Sequence, residues 1–141
     1  MILVDSSVLI AYLRGDRTAP AATLHTLETQ GIPFSIPIVC AQEVLQGAAD
    51  EREWELLDDL LSTQRLLSVA DPWESHRRAA RIFFDCRREG LTVRSSTDCL
   101  IAQQTLDADG ILLHDDEDYE HIRQVRPLRT LDASRGILGS I

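Results

Sequence analysis

The sequence predicts an α/β fold of three layers (α/β/α), helices packed on both faces of a central, mainly parallel, five-stranded sheet, and three observations carry that expectation. Short runs of apolar residues, Met1-Ile2-Leu3-Val4 first among them, have the unbroken hydrophobicity of strands buried on both faces. Between them lie longer stretches whose apolar residues recur at helical spacing. Strands and helices therefore alternate from end to end, as parallel strands joined by right-handed crossovers require. At 141 residues, 44% hydrophobic and 26% charged, the chain reads as one domain over 1–141, able to bury roughly two thirds of its unfolded surface.

The elements follow in order. Asp5 ends the first strand, and Ser6 or Ser7 is suited to cap a helix through Val8-Leu9-Ile10-Ala11-Tyr12-Leu13. Ligands of open α/β sheets bind outside the carboxyl ends of strands, where strand order reverses, so Asp5 belongs beside the expected crevice. Gly15-Asp16 breaks the pattern. A second helix over 19–30 carries Ala22, Leu24 and Leu27 and closes at Gly31. A second strand is expected over 33–36, and Pro37 opens a third helix through Val39, Cys40, Val44 and Leu45 to Gly47. A fourth helix over 50–62 has Trp54, Leu57, Leu60 and Leu61 at helical spacing, and a third strand follows over 66–69.

Pro72-Trp73 starts a long helix to Glu89, closed by Gly90, with Ala79, Ile82, Phe83 and Cys86 on one core-facing stripe. Arg77, Arg81 and Arg88 lie largely off that stripe, on a solvated face or a phosphate-contacting edge. Ser95-Ser96-Thr97 caps a helix through Asp98, Ile101, Ala102 and Leu106 to Gly110. The fourth strand, Ile111-Leu112-Leu113, a brief helix over 117–123 and a fifth strand near Leu128-Arg129-Thr130 complete the pattern.

Composition removes several function classes. No apolar stretch approaches the roughly 18 residues of a bilayer span, and no basic region precedes the first apolar run as in a signal peptide. Cys40, Cys86 and Cys99 are odd in number and widely spaced, which disfavours a disulfide framework or a zinc site and fits reduced thiols in a cytoplasmic protein. The net charge of −9 opposes nucleic-acid binding unless the acids are neutralised by metal ions or kept away from basic surfaces. All fourteen basic residues are Arg, the better bidentate partner for phosphate.

Glu43 stands among Val39, Cys40, Val44 and Leu45 on its helix, with no Lys or Arg at a matching position, so a partly buried carboxylate there wants a cation. Asp98 opens a helix, where a negative charge also suits the dipole. Asp5 and Asp116 end strands on one edge of the sheet. Carboxylates converging there, at about 4 Å and an effective dielectric near 20, repel by about 4 kcal/mol per pair, so they protonate or bind a cation. An all-oxygen set favours Mg²⁺ or Mn²⁺ over zinc.

The stretches Val4-Asp5-Ser6-Ser7-Val8-Leu9-Ile10, Glu43-Val44-Leu45-Gln46-Gly47, Thr97-Asp98-Cys99-Leu100-Ile101-Ala102 and Leu113-His114-Asp115-Asp116-Glu117-Asp118-Tyr119 resemble the four acidic motifs of PIN-domain ribonucleases. The similarity is closest to the VapC-like toxins of bacterial toxin–antitoxin pairs, and the motifs span nearly the whole chain in the expected order. The resemblance implies a PIN-like fold and metal-assisted hydrolysis of RNA phosphodiesters, with Asp5, Glu43, Asp98 and Asp116 at the site. Asp5, Asp98 and Asp116 would hold one or two Mg²⁺ (or Mn²⁺) ions, and Glu43 would ligate or orient the attacking water. Ser6, Thr97 and Asp118 would support the carboxylates by hydrogen bonds. The family also implies a homodimer and a cognate VapB-like antitoxin. Two departures stand out: Tyr119 where Phe is usual, and Asp115 where a neutral residue is common, which leaves open how the roles are divided among Asp115, Asp116 and Asp118.

Other acidic α/β families fit less well. Phosphoacceptor receiver domains rely on a Lys that this chain lacks, and haloacid-dehalogenase-like phosphatases need an Asp at position 7, which is Ser. Asp107-Ala108-Asp109-Gly110 has its Gly too early for a calcium loop. No histidine is required as a base. The remaining alternative is a PIN-like binding module whose acids serve structure alone.

Overall fold

The computed structural model describes residues 1–133, so 134–141 of the expected domain lie outside it. Strand β1 (Ile2–Val4) pairs in parallel with β4 (Ile111–Leu113), Leu3 opposite Leu112. Strand β2 (Ile36–Pro37) pairs in parallel with β3 (Leu66–Leu67). A bridge between Leu3 and Ser35 links the two pairs, with Ser35 N–H donating to Ile2 O at 2.8 Å and Val4 N–H to Ser35 O at 3.1 Å. The strand order is therefore β3–β2–β1–β4, all parallel.

Four strands are present among the described residues, not the expected five. The segment near Thr130 meets β4 only through the bridge to Leu112, flanked by Leu112 N–H donating to Arg129 O (2.9 Å) and Leu131 N–H donating to Leu112 O (2.8 Å). One residue in pairing geometry is a bridge rather than a strand. The second strand also sits later than 33–36. Its pairing with the edge strand runs through Ile36 N–H to Arg65 O at 2.9 Å, and Pro37, with no N–H to give, leads directly into a helix.

The helices are α1 (Ser6–Leu13), α2 (Ala19–Thr29), α3 (Ile38–Gln46), α4 (Glu51–Ser62), α5 (Pro72–Arg88), α6 (Ser96–Asp107) and α7 (Asp118–Ile122). Asp5, rather than Ser6 or Ser7, caps α1, its carboxylate accepting from Ser7 N–H at 3.1 Å. Asp71 caps α5 through Glu74 N–H, and Gly90, at φ +73°, takes the left-handed turn that ends it. Arg77 and Arg78 pair with Glu74, while Arg81 and Arg126 share Asp85, and Arg88 lies over the Phe84 ring.

Leu3, Val4, Leu112 and Leu113 are fully buried at the centre of one apolar core, with Val8, Leu24, Leu27, Ile82 and Ile101 contributed by the helices. Gly110 lets β4 lie against β1: a Cβ there would fall 2.5 Å from Leu3 Cδ1 and 3.1 Å from Met1 O. The three cysteines are buried and unpaired, as expected for reduced thiols. Because the strands are parallel, the chain leaves β1, β2 and β4 at the same rim, and the acidic motifs gather there.

Candidate active site

Asp5 follows β1 directly and is buried (3% exposed). Each of its oxygens is held. Oδ1 accepts from the Tyr119 hydroxyl at 2.8 Å, with the Cys40 thiol at 3.8 Å. Oδ2 accepts from both the backbone N–H and the hydroxyl of Ser7. A carboxylate has about four lone-pair sites, so this one is saturated with donors.

Asp98 lies in the first turn of α6, also buried. Its Oδ1 is 3.3 Å from the Tyr119 hydroxyl, while its Oδ2 is buried without any hydrogen-bond partner. Burial, and then the negative charges of Asp116 and Asp5, push the Asp98 carboxyl up to about 8. Asp98, Asp116 and Asp118 each offer a carboxylate oxygen, and these three atoms lie within 4.8 Å of one another.

Asp118 opens α7 and is fixed from behind: its Oδ2 accepts from Arg94 N–H at 2.9 Å and Ser95 N–H at 3.1 Å. Those bonds anchor the turn before α6, whose N-cap Ser95 makes no side-chain cap of its own. Asp118 N–H in turn donates to Asp116 Oδ1 at 2.9 Å, so two of the clustered acids are joined through one short turn. Asp115, exposed, donates its N–H to the Ser7 hydroxyl.

Glu43, in the second turn of α3, is half-buried, and its Oε1 accepts from the Ser6 hydroxyl at 3.2 Å. Desolvation raises its carboxyl, with the neighbouring Asp5 charge adding in the same direction and the Ser6 bond opposing them. Thr97 makes no hydrogen bond to a described carboxylate; it lines a cavity of about 370 Å³ between α5 and α6 instead. His114 is pushed down by burial. Its Nδ1 accepts from Asp116 N–H, which leaves the ring proton on Nε2, 3.7 Å from Glu120.

The structure thus gathers Asp98 and Asp116 with Asp118, which the sequence reading had set in a supporting role. Asp5 is joined to them through Tyr119, and Glu43 approaches from the Ser6 side. The sequence marks Tyr119 only as a departure from Phe, and offers Ser7 only as one of two helix caps. No pattern in the sequence reports that one phenol reaches two carboxylates, one of them 114 positions away.

This strand order, with four acidic motifs folded to one rim, defines a class of protein. The PIN-domain family model matches residues 2–125, and the chain belongs to that family. Over 132 residues it is 34% identical to the VapC ribonuclease Mb1587 of Mycobacterium bovis and to ribonuclease VapC11 of Mycobacterium tuberculosis, covering 92% of this chain and 96% of each relative. Its fold is similar to VapBC-1 from nontypeable Haemophilus influenzae (TM-score 0.70, 16% identity, 95% of this chain and 99% of that one). FitAcB from Neisseria gonorrhoeae is as similar (TM-score 0.71, 17% identity, 95% and 99%).

Proposed function

We propose that the chain is a divalent-metal-dependent endoribonuclease acting as the toxin of a VapBC-type toxin–antitoxin pair. One observation carries the metal: a buried Asp98 oxygen with no partner, on a carboxylate grouped with two others whose offered oxygens lie within 4.8 Å of one another. Without a cation, a proton is what relieves the charge repulsion within that group. The donor set, all carboxylate oxygen, fits Mg²⁺ or Mn²⁺.

Asp98, Asp116 and Asp118 would hold the ion, and Asp5 adds negative charge from behind the Tyr119 hydroxyl. When bound, the cation supplies Lewis-acid charge that polarises the phosphodiester. Glu43 has one oxygen on Ser6, and its other oxygen has no protein partner among the described residues. With its carboxyl raised, it is suited to orient water and take its proton as the water oxygen bonds to phosphorus, while the P–O bond to the leaving ribose oxygen breaks and that oxygen takes a proton from solvent. Neutral His114 orients the Asp116 turn through its Nδ1. No described helix is long and apolar enough to cross a membrane. The chain would act in the cytoplasm as a homodimer, restrained by a VapB-like antitoxin; the similarity to chains of VapBC complexes supports the antitoxin.

Incubating the purified chain with total RNA in Mn²⁺ or Mg²⁺, and again in EDTA, tests the proposal. Cleavage that needs the metal and disappears in Asp98→Asn is the expected result. Cleavage that continues undiminished in EDTA would remove the metal; no cleavage under any condition would leave a binding module.

A further inference from the structure

The Tyr119 side chain is fully buried, and nothing about filling core space calls for its hydroxyl. A Phe would pack the same ring without the cost of burying a polar group. The hydroxyl is nevertheless placed 2.8 Å from Asp5 Oδ1 and 3.3 Å from Asp98 Oδ1, two carboxylates far apart in the sequence. The ring is held in turn by His114, whose ring centroid lies 4.6 Å away, and by its place in α7, next to Asp118.

We propose that Tyr119 is a positioning residue of the nuclease site, its hydroxyl holding Asp5 and Asp98 at a fixed separation so that Asp98 keeps its Oδ2 bare for the cation. The proposal rests on the metal-centred reading above. A phenol has one proton, so at any moment it donates to one carboxylate while spacing the other. It thereby relieves the Asp5–Asp98 repulsion without placing a competing cationic side chain in the site. Asp5, with Ser7 on its far oxygen, is the fixed side of the arrangement, and Asp98 is the side left with an open oxygen.

Mn²⁺ binding to metal-free protein, measured by calorimetry at pH 7.5, tests this with Tyr119→Phe, which keeps the ring and removes one oxygen. The variant is expected to bind Mn²⁺ on the order of tenfold more weakly, the worth of one hydrogen bond to a charged group. Its circular dichroism should match the parent's. Binding within twofold of the parent overturns the proposal and leaves the metal reading standing, whereas a parent that binds no Mn²⁺ removes both.

A second measurement decides the matter should Tyr119→Phe fail to fold. The chain has two tyrosines, and Tyr12 is a half-buried residue whose hydroxyl donates to Glu28, not to Asp5 or Asp98. In Tyr12→Phe protein, ultraviolet Raman scattering therefore reports the Tyr119 hydroxyl alone. A strong hydrogen-bond-donor signature that persists when Mn²⁺ is added supports positioning. A signature without donor character overturns it.

Discussion

A proton on Asp98 and a cation beside it are alternatives, and which one occupies the site determines what a substitution does there. In the metal-free chain, burial and the charges of Asp116 and Asp5 push the carboxyl up to about 8, so at higher pH a buried charge has one oxygen without a partner. Asp98→Asn removes that charge, keeps an oxygen for Tyr119 and gives Asp116 and Asp118 a donor. The variant should lose RNA cleavage and yet, in EDTA at pH 8.5, resist urea better than the parent by about 2 kcal/mol. A less stable variant under those conditions would mean that the acids are a structural network. Ser6→Ala acts more mildly at the second carboxylate. Loss of the 3.2 Å bond frees Glu43 and removes the one influence that lowers its carboxyl. The acidic limb of the rate profile should then move to higher pH with melting barely changed, and an unmoved limb would argue that Glu43 is no proton acceptor.

At the scale of elements, the site depends on how closely β1 approaches β4, because Asp5 and His114 are the residues that follow those strands. Gly110→Ala puts a methyl 2.5 Å from Leu3 Cδ1 and 3.1 Å from a carbonyl, and fully buried Leu3 has little room to yield. A loss of about 1–3 kcal/mol in urea denaturation is expected. Gly110→Ala stability equal to the parent would show that the strands can separate freely. The same elements show what the sequence reveals and what it withholds. Leu3, Val4, Leu112 and Leu113 are legible as buried strands because each lies in an unbroken apolar run. The Asp5 and Asp98 positions are legible because strand ends and helix starts leave local signals. Four short motifs in order were enough to mark the family. Thr130 reads as part of a strand and forms only a bridge, since residue pattern alone does not tell a single bridged residue from a paired segment. The roles of Asp118 and Tyr119 are not legible because their partners (Arg94 and Ser95 for one, Asp5 for the other) are 23 to 114 positions distant. Such contacts exist only once the sheet has assembled.

For the molecule as a whole, these groups add up to a pH dependence whose sign changes when metal is present. Asp98 keeps its proton in the folded chain up to about 8, while the unfolded chain loses it near 4. Folding therefore binds a proton across that range, and stability falls as pH rises, by at most about 1.4 kcal/mol per unit. Glu43, also raised, acts in the same direction over a narrower range. His114 opposes them: burial lowers it from 6.5, so the unfolded chain takes up the proton first and stability is lost as pH falls below about 6.5. Glu74, held down to about 2 by Arg77 and Arg78, contributes only in acid. Between about pH 6.5 and 8 the Asp98 effect is left unopposed by His114. Metal-free protein should therefore melt at progressively lower temperature across that interval. Saturating Mn²⁺, at a hundred times its dissociation constant, adds about 2.7 kcal/mol. It binds the ionised acids, so its effect should grow with pH and reverse the trend. His114→Asn, whose side-chain oxygen still accepts from Asp116 N–H, removes the opposing influence and should extend the metal-free decline below pH 6.5. Melting curves in EDTA and in Mn²⁺ at half-unit steps from pH 5.5 to 8.5 resolve both effects. A metal-free chain whose stability rises through pH 7.5 would show that Asp98 is already ionised, with no need of a cation.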